Sequence, residues 1–222
     1  MTYSSSELPI IAMELDKFEK LILGVSINCG MQPAESGRLE VDDYFQVHPE
    51  TGVQGDWIIF DRPKTLEYGE WILWPEVACL VQWGIERANR IGVDRIIVGE
   101  DGTPWYRDEW ANPSMKFGKW WQANPTEADP TEGIVSRLHR ERNDFPRHTI
   151  KTLRKVLPNL IRPLKGQEIA DLANARKVDD NGTIGGRDTD RYADRLYDNL
   201  ADAIRELERE FRPFLNVLGK DC

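Results

Sequence analysis

The stretch Gly55-Asp-Trp-Ile-Ile-Phe60-Asp-Arg62-Pro-Lys64-Thr65-Leu-Glu-Tyr-Gly-Glu70-Trp-Ile-Leu-Trp74-Pro75-Glu76 sets the architecture. Two runs rich in β-branched and aromatic residues, 55–60 and 70–74, flank a polar link, and this pattern predicts an antiparallel hairpin. Pro75 suits the first turn of a helix. Val77, Leu80, Val81, Gly84, Ile85 and Ala88 then fall on one helical face, which predicts a helix over 75–91. Outward from this core the periodicity is helical in both directions. On the N-terminal side Met13, Phe18, Leu21, Ile22, Val25 and Ile27 recur near helical spacing up to Gly30, a helix-ending glycine, and a short helix follows Pro33. On the other side, Arg95 to Val98 reads as a short strand and Asp101-Gly102 as a turn. Helices are predicted around Phe117, Trp120 and Trp121, over 134–143, over 148–157 and over 167–175. The last and clearest helix carries the stripe Tyr192, Leu196, Leu200, Ala203, Ile204, Leu207 and Phe211, with Pro213 as its end. The fold class is therefore α+β, mainly α: a helical scaffold with a small antiparallel sheet. It forms one domain over 13–214, between tails at 1–12 and 215–222.

Composition supports a packed domain. The chain has 222 residues, 40% hydrophobic and 30% charged, with eight Trp, seven Phe and six Tyr to bury. No segment reaches the roughly 18 uninterrupted apolar residues of a membrane span, and the polar start lacks a secretory pattern. The expected location is cytoplasmic, with no membrane partner. Cys29, Cys79 and Cys222 are widely spaced, and His48, His139 and His148 show no ligand spacing. The cysteines read as buried or inert thiols of a reducing compartment, and no metal site is expected. Asp179, Asp180, Asp188 and Asp190 do not match a calcium loop.

The net charge of -9 is unevenly spread. Between Arg137 and Lys165 lie nine bases (Arg137, Arg140, Arg142, Arg147, Lys151, Arg154, Lys155, Arg162, Lys165) and only the acids Glu141 and Asp144. Such a cluster is either a solvated helical face or a surface for phosphates.

Several strings, in fixed order from about Leu15 to Phe214, resemble the catalytic domain of tyrosine recombinases of the phage-integrase type. Asn28-Cys-Gly30-Met-Gln32-Pro-Ala-Glu35 resembles the family's first box, a helix end in Thr-Gly-hydrophobic-Arg with a Glu three residues on. Arg62-Pro-Lys64-Thr65 resembles the strand-borne Lys-Thr, and Leu73-Trp-Pro-Glu76 the strand end before the next helix. Lys151-Thr-Leu-Arg154 lies where the family has His-x-x-Arg. Leu172-Ala-Asn174-Ala is similar to the Leu-Gly-His-Ser element, and Arg191-Tyr192-Ala193 to the tyrosine-bearing helix.

The resemblance implies site-specific cleavage and rejoining of duplex DNA through a phosphotyrosyl intermediate, without metal or small-molecule cofactor, and with self-association on DNA. Tyrosine attack conserves the bond energy for rejoining. The anionic transition state calls for guanidinium groups on its non-bridging oxygens, and a lysine can protonate the departing sugar oxygen. Carried over, Tyr192 is the nucleophile, Arg154 the second arginine and Lys64 the general acid. Lys151 and Asn174 stand for the two histidines and Gln32 for the first arginine. Arg62, Arg147, His148 and Lys155 are the expected further DNA contacts.

The match departs from the pattern in ways that bear on activity. Gln32 has no charge, Asn174 has no acid–base function, and the interval from Asn174 to Tyr192 is longer than in the family pattern. The chain also opens almost at the catalytic region, so no counterpart of the family's N-terminal clamp is expected. Without the resemblance, Tyr192 reads as a packed tyrosine of its stripe, and Arg62 and Lys64 as ordinary solvated charges. Two alternatives therefore stand beside the recombinase reading. One is a catalytically silent DNA-binding or assembly remnant of that fold, the other a helical interaction module with no nucleic-acid partner.

Overall fold

A computed structural model describes residues 2–61, 68–127, 129–174 and 187–222, with only the backbone course for 187–195. Its frame is set by three helices. Helix α2 (Lys17–Asn28) starts at Asp16, whose carboxylate accepts from the Glu19 N–H while Glu19 returns a bond to the Asp16 N–H, a reciprocal cap. Helix α4 (Pro75–Ile91) begins with its proline in the first turn, as the sequence predicts. The two approach closely at Gly84, where a Cβ would lie 2.7 Å from both Leu21 and Ile96. Helix α9 (Arg187–Leu218) runs along both and also touches helix α1 (Leu8–Met13).

The sheet is three-stranded and antiparallel, β1 (Tyr44–Val47), β2 (Gln54–Asp61) and β3 (Tyr68–Ile72), in the order β1-β2-β3. The β2–β3 hairpin is the predicted one, in register Trp57 to Ile72 and Asp61 to Tyr68. Strand β1 was not legible, because Tyr44-Phe-Gln-Val47 is short and pairs across an irregularity between Phe45 and Val47. His48 closes the β1–β2 turn. Its Nδ1 accepts from the Glu50 and Thr51 N–H groups, which leaves Nε2 to carry the proton toward Glu70 at 3.0 Å.

The remaining elements among the described residues are α3 (Pro33–Ser36), a 3-10 turn (Val41–Asp43) that leads into β1, α5 (Met115–Gln122), α6 (Ile134–Glu141), α7 (Val156–Lys165) and α8 (Gln167–Leu172), with the 3-10 turns before α7 and after α9. Among the described residues, no helix is long and apolar enough to cross a membrane.

Several expectations need correction. The segment 1–12 carries buried Tyr3, Leu8, Ile11 and Ala12. Tyr3 donates to the His148 carbonyl at 3.0 Å, so this segment packs into the core. The predicted helix over 148–157 is a 3-10 turn, Ile150–Lys155, that passes into α7, whose Pro158 is tolerated in the first turn where no backbone donor is needed. Residues 95–98 form only isolated bridges, Glu40 with Arg95 and Val98 with Pro104. Pro213 does not end α9. Phe214, Leu215 and Leu218 beyond it are buried, and burying them outweighs one lost backbone bond while the proline faces solvent.

Cysteine departs from expectation as well. Cys29 is buried, and burial pushes its thiol up, so it is inert as expected. Cys79 and Cys222 instead form a disulfide with Cα atoms 6.0 Å apart, because the 3-10 turn Gly219–Asp221 folds residue 222 back onto α4.

Candidate functional site

The site is built around the turn that leaves α2. Gly30 has φ +58, and a Cβ there would lie 2.6 Å from the Ala173 carbonyl oxygen and 3.5 Å from both the Arg154 carbonyl and Asn174 Oδ1. Glycine is thus required for conformation and for space. It lets the turn seat against the end of α8 and the 3-10 turn that carries Arg154.

Asn28 prepares that geometry. Fully buried, its Nδ2 donates to the Ile72 carbonyl at 2.9 Å and its Oδ1 accepts from the Trp74 N–H at 2.8 Å. One side chain so fixes the corner between β3 and α4 to the end of α2. Trp71 of β3 then donates its indole N–H to the Ala173 carbonyl at 3.1 Å. The hairpin and α8 are tied through the same carbonyl that crowds Gly30.

Arg154, half-buried, donates from Nε to Asn174 Oδ1 at 3.3 Å. Gln32 sits at the head of α3, where its N–H donates to the Glu35 carboxylate at 2.7 Å and its carbonyl accepts from the Glu35 N–H. Three of the predicted segments, 28–35, 151–154 and 172–174, therefore converge. Lys151 is exposed and precedes Arg154 by three residues. A 3-10 turn stacks residues at that spacing, so the two share a face. Lys151 also borders a groove of about 500 Å³ between α3, α5 and the 3-10 turn, with Lys119, Gln122 and Thr149 on its walls.

The other candidates separate. Lys155 is exposed. Arg147 is committed to Asn124 at 2.9 Å and Ser136 at 3.1 Å, bonds that join the loop after α5 to α6. His148 lies edge-on to Tyr3, with ring centroids 5.0 Å apart. Within the basic segment, Arg137 pairs with Glu14, Arg140 with Glu132 and Lys165 with Glu206, while Arg142, Lys151, Lys155 and Arg162 project to solvent. Arg62 and Lys64 lie outside the described residues. Tyr192 is on α9, in its second turn counted from Arg187, and its side chain lies outside the described residues too.

What is described on either side of those positions holds the hairpin to α9. Tyr197 donates its hydroxyl to the Tyr68 carbonyl at 3.0 Å, its ring edge-on to that of Tyr68 at 5.5 Å. Tyr68 in turn donates to the Glu70 carboxylate at 2.6 Å, which also receives His48. Burial first, then the Glu70 carboxylate, pushes both phenols upward, with Asp61 adding to the rise at Tyr197. Both are thereby kept as protonated anchors. Sequence reasoning missed Trp71, His48 and Glu70 as site supports and read Asn28 only as motif. An amide at a helix end beside a glycine was the one available signal.

No protein-family model matches the chain, and no curated protein matches it significantly. Among solved structures the chain is similar to the integrase of the Tn1549 transposon in complex with transposon right end DNA. The TM-score is 0.51 and the identity 13%, over 86% of this chain and 64% of that one. The same integrase in complex with circular intermediate DNA aligns with a TM-score of 0.49 and 13% identity, over 85% of this chain and 61% of that one. The chain thus spans a little under two thirds of the length of the integrase chains it matches. At this identity the relation is one of fold, a distant one, shared with an integrase.

Proposed function

We propose that the chain is a DNA-binding domain of tyrosine recombinase type, and that it cleaves and rejoins a DNA strand through a phosphotyrosyl link to Tyr192. One observation carries the reading. Arg154 and Asn174 meet beside the Gly30–Gln32 turn, in a chain that shares the fold of an integrase solved with DNA.

In this scheme the Tyr192 hydroxyl loses its proton as its oxygen attacks phosphorus, the bond from phosphorus to one sugar oxygen breaks, and Lys64 protonates that oxygen. Arg154 donates to the non-bridging oxygens, held at the right angle by Asn174. Lys151, Lys155, Arg142 and Arg162 contact flanking phosphates. Rejoining is the reverse. With Gln32 a hydrogen bond replaces a charged grip, which costs on the order of 10²-fold in rate.

A second reading, binding without cleavage, is favoured by two positions of the site, Gln32 and Asn174. Gln32 is neutral, and Asn174 spends its Oδ1 on Arg154. Both readings are tested by a gel shift on duplex DNA across salt and by trapping on a nicked suicide duplex. A covalent adduct that disappears in Tyr192→Phe supports strand cleavage. Salt-steep binding without adduct leaves the second reading. Absence of duplex binding at low salt overturns both.

A further inference from the structure

We propose that Cys79 and Cys222 are a reversible thiol–disulfide modification site, a latch that fastens residues 219–222 to α4 when oxidised and releases them when reduced. The inference is independent of any DNA reading. Three observations carry it. The Cα atoms lie 6.0 Å apart, within the span a disulfide bridges. Cys222 is exposed while Cys79 is half-buried on α4, so one sulfur is open to a solvent thiol and the other is sheltered. Residue 222 is also brought into place by contacts that do not depend on the bond. Lys17 Nζ donates to the Asp221 carbonyl at 2.5 Å, and Lys20, only 7% exposed, pairs with the Asp221 carboxylate at 2.5 Å. Gly219 packs against Glu76, which also pairs with Arg212 at 2.7 Å.

These contacts favour return of the released segment to α4, so closure is an intramolecular step with a high effective concentration. The reactants are low-molecular-weight thiols and disulfides of the glutathione class. On opening, an external thiolate attacks Cys222 Sγ, the bond to Cys79 Sγ breaks, and Cys79 leaves as a thiolate that takes a proton. A second external thiolate attacks the outer sulfur of the mixed disulfide and frees Cys222. The sum converts two external thiols into their disulfide and the protein disulfide into two thiols. Closing is the reverse and consumes an external disulfide. Buried Cys29 takes no part.

The test equilibrates the full chain in glutathione buffers from fully reduced to fully oxidised, alkylates it, and counts protected cysteines by mass. Cys79 and Cys222 are expected to become protected together, linked within one chain, and to reopen with dithiothreitol. Native amide exchange over 215–222 should slow several-fold on oxidation, and Tm should rise by about 10 °C. Both differences should vanish in Cys222→Ser, an exposed position, and in Cys79→Ser. The proposal is overturned if both thiols stay alkylatable in oxidised glutathione or if Cys222 retains glutathione without closing. A link between two chains, or equal amide exchange over 215–222 in the two states, overturns it equally.

Discussion

The Nε–H of Arg154 and the Oδ1 of Asn174, 3.3 Å apart, join a 3-10 turn to the end of α8 directly beneath the Gly30 turn. The bond orients a half-buried guanidinium with a neutral partner. Asn174 is neutral, so this bond by itself leaves the positive charge of Arg154 undiminished.

Replacing Arg154 by Ala removes that charge and leaves the buried Asn174 amide without this donor. Duplex affinity should fall about 10-fold and the slope of log affinity against log salt should flatten by about one. Unchanged binding and slope would remove Arg154 from the interface.

Gln32→Arg places a guanidinium beside the same turn. Duplex binding should tighten several-fold with a steeper salt slope, and any trapped adduct should form faster. A loss of affinity would mean that the turn does not face the phosphate.

Gly30→Ala must accept φ +58 and a methyl 2.6 Å from the Ala173 oxygen. The two penalties together are expected to cost about 3 kcal/mol of unfolding free energy. Urea denaturation measures this, and a loss below about 1 kcal/mol would contradict the close approach.

Asn28→Leu keeps the volume but strands the Ile72 carbonyl and the Trp74 N–H in a dry corner. A loss of about 2–4 kcal/mol is expected, with weaker duplex binding because the corner positions the Gly30 turn. Denaturation and the gel shift read the two effects separately.

Burial, and after it the carboxylates of Glu40, Asp42 and Asp61, pushes Asp43 up to about 6 from an ordinary 3.8. A raised carboxyl favours the folded state while protonated. Its contribution is therefore full below about pH 4 and is lost as pH rises through 6. Relative to Asp43→Asn, the natural chain should lose about 1 kcal/mol between pH 4 and 7 after allowance for solvent screening. Parallel stability curves for the two proteins across that range would refute the shift.

Much of the scaffold was readable from local pattern. The hairpin announced itself by two β-rich runs around a polar link, and α4 by Pro75 and a single apolar face. These signals are local because alternation and helical periodicity are decided within a few residues. Strand β1 escaped because four half-exposed residues with an irregular register carry no such signal. Pro213 misled because a residue's propensity is a local term, while the burial of Phe214, Leu215 and Leu218 is a tertiary one.

For the site, the sequence by itself determined which residue types were on offer: a glycine at 30, an arginine at 154, an amide at 174, a neutral glutamine at 32. Only the tertiary structure decided that the first three touch, that Trp71 and Asn28 hold them, and that Arg147 is spent on Asn124 and Ser136. It also decided that Cys79 and Cys222, 143 residues apart, are neighbours. The physical reason is common to all of these. Hydrogen bonds, ion pairs and a disulfide act over a few ångströms, and separation along the chain says nothing about such distances until long-range packing has closed the loops between them.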